Sequence, residues 1–219
     1  MTVDWRTVAS LVGTVTKALA LPLAVSAGVA LLYRESAVPF LLPALGSLLV
    51  GLGLERLPRA ELGIREAFLM VSLTWLVVAL VGAVPFLLVG SGVFVSPVDA
   101  VFESMSGITT TGATVIESFD AHPRGLLFWR QLIQWLGGLG ILVLAVGLLS
   151  QLEVGGAQLM ETETRTQDVT KLTPRIAGTA RIIGGLYVGL TALVVLVLLG
   201  LNLAGLAPRM EPYDAVAHA

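Results

Sequence analysis

Long apolar runs with almost no charge constrain this chain more than any other feature. Four of the five runs, residues 37–54, 67–98, 131–152 and 182–208, contain no charged residue. The first, residues 8–33, contains only Lys17, whose long side chain we expect to reach the membrane interface. A helix needs about 20 apolar residues to cross the hydrocarbon core of a bilayer. The sequence therefore predicts an all-α integral membrane protein. Its crossings are expected at residues 8–33, 37–54, 67–90, 127–150 and 178–204.

The composition fits a membrane location and offers little for catalysis. Only 13% of the 219 residues are charged, whereas soluble domains carry about a quarter. There is no cysteine, which excludes disulfides and thiolate chemistry, and the two histidines, His122 and His218, lie far apart without a metal-ligand pattern. The net charge of −2 gives no indication of nucleic-acid binding. Because the sequence contains no recognisable nucleophile–base set or metal cluster, we expect neither an enzyme nor a bound cofactor.

Basic residues predict the orientation of the crossings. Arg56, Arg59 and Arg65 lie between the second and third crossings, and four more basic residues lie between the fourth and fifth. Cytoplasmic loops carry such an excess of arginine and lysine. Arg34 is alone in the first loop, which we place outside. The N-terminus is then expected in the cytoplasm.

A more polar segment, residues 95–123, remains between the third and fourth crossings. Its Ser96-Pro97-Val98-Asp99 sequence is typical of a helix start, because serine caps, proline suits the first turn and an acid can bond back to the cap. A helix from Pro97 to Gly107 would be roughly 16 Å long, about half a bilayer. We therefore expect a short helix that enters from the outside, followed by a return of the chain to the same side.

The stretch GITTTGATV, residues 107–115, follows that helix. Carbonyl groups of an extended chain can replace the hydration shell of a cation, and Gly112 gives the backbone the freedom that this requires. Threonine and glycine are also common in loops with only a structural role. Composition alone leaves both interpretations open.

An internal repeat supports a modular architecture. SPVDAVFES at residues 96–104 matches EPYDAVAHA at 211–219, and a long apolar run precedes each copy. A second unit of span, half-helix and span thus begins near residue 178.

Five stretches carry a resemblance to a known family: REAFLMVSLTWLVVALVGAVPF (65–86), FESMSGITTTGATV (102–115), RQLIQWLGGLGILVLAVGLL (130–149), GGAQLMETET (155–164) and KLTPRIAGTAR (171–181). They resemble the Trk/Ktr/HKT potassium transporters, and most closely the bacterial TrkH-type branch. The resemblance implies a potassium-channel-like fold of span–pore-helix–span repeats. One repeat would be complete and a second begun, after two extra transmembrane helices.

The resemblance also implies boundaries. They are an N-terminal helix pair (1–60), a first pore repeat (61–150), a cytoplasmic loop (151–177) and the start of a second repeat (178–219). The first repeat would comprise a span (67–90), a pore helix (97–107), a filter (108–115) and a second span (127–150).

The resemblance implies the site as well. Potassium, the transported ion, would contact mainly the backbone carbonyls of the filter residues Thr110, Thr111, Gly112 and Ala113. Supporting residues would be Thr109, Thr114, Glu103 and Asp99. For Asp99 a helix cap is favoured over an ion ligand. Glu103 could either attract cations or bond the backbone or a neighbouring hydroxyl such as that of Ser106.

Partners and completeness follow from the same resemblance. The loop from Glu153 to Arg181 would dock a TrkA-like nucleotide-binding ring, and the complete protein would form a homodimer in the bacterial inner membrane. Complete family members are considerably longer, so we expect this chain to be a fragment of a potassium uptake subunit. The alternative is a non-conducting membrane scaffold, or a split subunit that needs a partner chain.

The WLGGLGI stretch contains Gly137, Gly138 and Gly140. These glycines could form a gating bend. Close helix packing is the more common use of small residues in membranes, and we favour it here.

Overall fold

The structure, a computed structural model, describes residues 3–60, 62–160 and 172–219. Within these residues it contains eight α-helices and no strand. In chain order the helices are α1 (Trp5–Ala18), α2 (Ala20–Leu32), α3 (Val38–Glu55), α4 (Ile64–Val89), α5 (Pro97–Ile108), α6 (Arg124–Met160), α7 (Leu172–Leu203) and α8 (Pro212–Ala217).

Four helical segments in the described part of the chain are long and apolar enough to cross a membrane. They are Trp5–Leu32, Val38–Glu55, Arg65–Val89 and Gly178–Leu203. The all-α membrane fold predicted from the apolar runs is confirmed. The crossing expected at 127–150 lies on α6, partly beyond the side chains that the structure describes, and stays a prediction.

The first crossing consists of two consecutive helices. Leu19 separates α1 from α2 but keeps right-handed helical angles, with φ −61° and ψ −20°. Pro22 begins the next turn, and its ring nitrogen has no hydrogen to donate to the carbonyl four residues earlier. The interruption is therefore local, and the chain continues in the same direction.

Glycines allow α1 and α3 to pack closely. A Cβ atom added to Gly51 would lie 2.6 Å from the backbone nitrogen of Lys17 and 2.7 Å from the carbonyl oxygen of Gly13. Next to this contact between α1 and α3, the Lys17 ammonium pairs with Glu55 Oε2 at 2.5 Å. The sequence predicted that Lys17 reaches the interface but did not indicate Glu55 of α3 as its partner.

The start of α5 follows local capping chemistry. The Ser96 hydroxyl accepts a hydrogen bond from the Asp99 backbone N–H at 3.4 Å, and Pro97 occupies the first turn. The matching copy at α8 forms a full capping box between Glu211 and Asp214. The repeated motif thus begins a helix both times.

Two helices extend beyond the ends that hydropathy predicts. α6 continues to Met160 instead of ending at 150, and α7 begins at Leu172 instead of 178. A helix needs apolar residues only inside the hydrocarbon core, so the end of an apolar run does not mark the end of the helix. Residues 161–171 of the expected docking loop lie outside the described residues.

Residues Met1–Gly137 form one compact unit, and Gly138–Ala219 form a second. The core of the first unit includes Phe86, Phe94, Trp129 and Ile133, each exposed by 1% or less. The Trp129 indole also donates to the Gly82 carbonyl at 2.9 Å, which fixes α6 against α4. The contacts of the candidate site among the described residues lie within this unit.

Candidate ion-contact site

The threonine stretch begins where α5 ends. The Thr110 N–H donates to the Gly107 carbonyl at 2.9 Å, and the Thr111 N–H donates to the Ser106 carbonyl at 3.0 Å. This pair of bonds is a Schellman motif, which satisfies the last carbonyls of a helix and turns the chain away from its axis. The motif requires a left-handed residue, and Thr110 takes that conformation with φ +56°.

Threonine is an unusual residue for this position. The left-handed conformation brings Cβ too close to the following carbonyl, so glycine normally occupies it. In the described part of the chain, Arg34 and Thr110 are the non-glycine residues with positive φ. A β-branched side chain there is a strained arrangement of the kind that accumulates at functional sites.

Three consecutive carbonyl groups are available beyond this turn. Residues 109–114 are exposed, and Gly112 has φ +75°, which only glycine adopts readily. Among the described residues, no hydrogen bond ends on the carbonyl oxygen of Thr110, Thr111 or Gly112. These oxygens can therefore accept a cation without losing a partner inside the chain.

The Ala113 carbonyl differs from the three before it. The Ser106 hydroxyl donates to this oxygen at 2.6 Å. The bond ties the chain back to α5 seven residues earlier and occupies one of the two lone pairs of the carbonyl. Of the four predicted filter residues, Ala113 is thus the one whose carbonyl is already held by the protein.

Glu103 lies behind the stretch and is fully buried, with 0% of its surface exposed. Its carboxylate accepts from Arg130 Nε at 2.5 Å, the Thr114 hydroxyl at 3.1 Å and the Val115 N–H at 3.0 Å. The structure therefore places it among backbone and hydroxyl groups rather than at an open vestibule. Ser106, the neighbour expected from the sequence, bonds Ala113 instead.

The remaining supporting residues occupy both ends of α5. The Thr109 hydroxyl donates to the Met105 carbonyl and lies 2.8 Å from the Thr111 hydroxyl. Asp99 is in the first turn, at the end of α5 that is farther from the threonines. The Ser96 N–H, from which a capping Asp99 carboxylate would accept, donates to the Val93 carbonyl at 3.2 Å instead, so a cap formed by the Asp99 side chain stays a prediction.

Glycines bring α6 against the end of α5. A Cβ atom on Gly107 would lie 2.8 Å from two side-chain carbons of Ile133, and one on Gly137 would overlap the carbonyl of Ile108. Gly140 has no such neighbour within 4 Å in the part of the chain that the structure describes. For Gly137 the structure supports close helix packing rather than a gating bend.

The first turn of α6 is fixed by a residue that sequence reasoning missed. The Glu35 carboxylate, in the loop after α2, accepts from the backbone N–H groups of Arg124 and Gly125 at 2.7 and 2.8 Å. Backbone N–H groups at a helix start have no acceptor within the helix itself, and negative charge is favourable there. No local pattern around Glu35 signals this contact, because its partners lie 89 and 90 residues away.

Arg130 was also missed, although a signal existed. It lies inside an otherwise apolar stretch, where a charged residue normally has a specific partner. Its side chain is 8% exposed, and its guanidinium lies 5.7 Å from the Phe119 ring centre. The partner, Glu103, could not be chosen among the other acids without the packing of α5 on α6.

Comparisons with known proteins agree with one another. The family model described as TrkH, a cation transport protein, matches residues 47–204. The Trk system potassium uptake protein TrkH of Vibrio parahaemolyticus is 40% identical over 222 residues, covering 99% of this chain and 44% of the relative. TrkH of Escherichia coli K12 is 43% identical over 199 residues, covering 87% and 39%.

A solved structure gives the same result. The crystal structure of the potassium transporter TrkH from Vibrio parahaemolyticus superposes with a TM-score of 0.78 at 37% identity, covering 99% of this chain and 42% of that one. The chain spans less than half the length of the curated relatives it matches. Because the family model covers well over half of the chain, this protein belongs to the TrkH family of cation transport proteins.

Proposed function

We propose that this chain forms one side of a potassium pathway across the membrane, with Thr110, Thr111 and Gly112 as the ion contacts. The observation that carries the proposal is the run of three consecutive carbonyl oxygens, on exposed residues, without a hydrogen-bond partner among the described residues. The relatives are named as potassium uptake proteins, which supports potassium as the ion.

The arrangement suits a cation for two reasons. Carbonyl oxygens replace the water that a potassium ion sheds, at little cost if they are already oriented. The C-terminal end of α5 also lies directly before the stretch, and its partial negative charge favours a cation there. Ala113 has a lesser role because its carbonyl already bonds Ser106.

A single stretch surrounds only one side of an ion. The proposal therefore requires similar stretches from further residues of the same protein or from other chains. We infer that the complete assembly is a homodimer in a bacterial inner membrane, with a TrkA-like regulatory ring on its cytoplasmic face. No catalysed reaction is part of the proposal.

Growth rescue tests the function. Cells that lack potassium uptake would express this chain alone, or the complete coding sequence that contains it, at limiting potassium. We expect the complete protein to restore growth and Gly112→Ala or Thr111→Val to weaken or abolish the rescue. Gly205→Ala is the matched control, because Gly205 also has φ +75° but lies on another loop.

The outcomes separate the alternatives. Rescue by the complete protein that Gly112→Ala removes and Gly205→Ala preserves supports the ion-contact assignment. Equal rescue by both variants would refute that assignment. No rescue by a complete protein that is inserted in the membrane would favour a non-conducting scaffold.

A further inference from the structure

We propose that Glu103 is a positioning residue, which holds the ion-contact stretch from behind and thereby sets its discrimination between potassium and sodium. Arg130 is its partner in this role. The inference rests on the proposed function of Thr110, Thr111 and Gly112.

Glu103 joins α5 to the chain that leaves the stretch. Two of its three donors, the Thr114 hydroxyl and the Val115 N–H, come directly after Ala113. A carboxylate that accepts several bonds in a fully buried position has little freedom to move. The Glu103 carboxylate therefore fixes where the stretch ends.

A second tie runs parallel to the first. Ser106 is three residues after Glu103, so both side chains lie on the same face of α5. Its hydroxyl holds the Ala113 carbonyl, while the Schellman bonds hold Thr110 and Thr111 at the other end. The short segment around Gly112 between these bonds, here called the arch, makes no such bond to α5 itself. Because both of its ends are bonded to α5, that helix sets the distance between them.

Arg130 makes this burial tolerable. An isolated carboxylate in an apolar interior is strongly unfavourable, and an oppositely charged partner with good geometry offsets much of that penalty. The pair adds no net charge beside the stretch. Its influence on ions is therefore through the position of carbonyl groups and not through general attraction of cations.

Position matters for selectivity. Whether a filter prefers potassium over sodium depends on the size of the cage and on the number and field strength of the carbonyl groups around the ion. An arch with anchored ends resists closing around the smaller sodium ion. A loosened arch can adapt to sodium, so loss of the ties should reduce discrimination more than it reduces transport.

The test uses the complete protein in cells without other potassium uptake. Potassium and sodium uptake would each be measured for KM and Vmax, with the amount of protein in the membrane determined in parallel. Glu103→Asp shortens the side chain by one methylene and keeps the charge. Thr114→Val removes the hydroxyl bond to Glu103, together with the bond that this hydroxyl accepts from the Ile116 N–H at 3.0 Å. It leaves the ion pair and the Val115 bond in place.

We expect the ratio of potassium to sodium efficiency to fall by about tenfold in Glu103→Asp, the change that ~1.4 kcal/mol of lost discrimination produces. Thr114→Val should shift the ratio in the same direction by a smaller factor. Glu117→Gln is the control. It removes an exposed acid nearby, and a screened surface charge attracts both ions alike, so the ratio should not change.

Every outcome bears on the inference. A normal ratio in both Glu103→Asp and Thr114→Val, with only less protein in the membrane, would mean that Glu103 is merely structural. If Glu103→Asp fails to reach the membrane, the ratio of Thr114→Val decides alone. Gly112→Ala is measured in the same series: if it transports normally, the proposed ion contacts fail, whatever Glu103 does.

Discussion

At the scale of single residues, Thr110 shows a conflict between stability and position. Its left-handed backbone completes the end of α5, yet its β-branched side chain is poorly suited to that conformation. Arg34 has nearly the same φ, +58°, in the loop between α2 and α3. The two residues thus share a backbone strain but lie in different surroundings.

Replacing each residue by glycine separates strain from function. We expect Thr110→Gly and Arg34→Gly each to raise the free energy of unfolding by up to about 1 kcal/mol. Only Thr110→Gly should lower potassium uptake, because a glycine there loosens the ion-contact stretch. Thermal unfolding in detergent and uptake at limiting potassium would check this. Unchanged uptake in Thr110→Gly would reduce Thr110 to a helix cap.

The cap of α1 predicts a pH dependence. The Thr7 hydroxyl donates to the Asp4 carboxylate at 2.8 Å and, with the backbone N–H groups of Arg6 and Thr7, keeps the pKa of Asp4 below its usual value. Because the folded pKa is lowered, this contribution to stability is present above the unfolded pKa, about 3.9. It is lost as the pH falls through the folded value.

We therefore expect acid to destabilise the wild-type protein more than Asp4→Asn. Melting temperatures of both proteins between pH 7 and about pH 3 would show it, with the gap between them shrinking below pH ~4. Parallel curves over the whole range would mean that the Asp4 charge does not contribute to the cap.

Sequence reasoning succeeded with residues whose role is local. The Ser96-Pro97 signal identifies the first residue of α5, and Gly112 is one of the few residues that need a positive φ. The placement of Glu103 was not predictable, since its donors come from the irregular segment after Ala113 and from α6. Ion contact by Thr110, Thr111 and Gly112 stays a prediction.

At the scale of helices, glycine contacts decide how closely α5 and α6 approach. The carbonyl of Ile108 lies against Gly137, directly before the ion-contact stretch. Backbone cannot move aside as a flexible side chain can, so this contact tolerates no larger residue. A Cβ atom on Gly140, three residues later on the same helix, would meet none of the described residues.

The two glycines provide a matched pair of variants. Gly137→Ala should destabilise the fold by about 1–3 kcal/mol, the usual cost of overpacking, and should impair potassium uptake by displacing Ile108. Gly140→Ala should be tolerated in both respects. Unfolding midpoints and uptake rates would test this. Equal loss of uptake in the two variants would instead favour a bend in which both glycines take part.

The Glu35 contact makes a second prediction at this scale. Glu35→Gln keeps an acceptor but loses the charge that faces Arg124 N and Gly125 N, so we expect a loss of about 1 kcal/mol. Chemical unfolding monitored by tryptophan fluorescence would measure it. The exposed Glu117→Gln serves as the control, and a matching loss there would show that the effect is not specific to the helix start.

Helix ends were less predictable than helix starts. The Ser-Pro-x-Asp start of α5 is written in adjacent residues. The extension of α6 to Met160 is not, because hydropathy reports where the membrane ends rather than where hydrogen bonding ends. The same limitation applies to the start of α7 at Leu172.

At the scale of the whole molecule, the apolar runs were sufficient to predict the class of protein. The apolar runs do not indicate which helices pack together, because this depends on contacts such as that between Gly51 and Lys17. The orientation in the membrane was predicted from the arginines and not from these runs. The expected orientation, with the N-terminus in the cytoplasm, stays a prediction.

The absence of cysteine from the sequence makes the orientation easy to test. Single cysteines would be placed at Pro58, before α4, and at Asp120, before α6; both positions are exposed. A membrane-impermeant maleimide should label Asp120→Cys in intact cells and Pro58→Cys only after permeabilisation. The reverse pattern would invert the proposed topology, and with it the side from which ions reach the stretch.

The division of the chain at Gly137 has a consequence for biosynthesis. The ion-contact stretch, Glu103 with Arg130, and the Glu35 contact all belong to the unit Met1–Gly137. Domains generally fold in the order in which the ribosome delivers them, at about 5–20 residues per second. The stretch and its supports can therefore assemble in the membrane while residues 138–219 are still being translated. The geometry of the stretch is then set before the later segments of the chain exist.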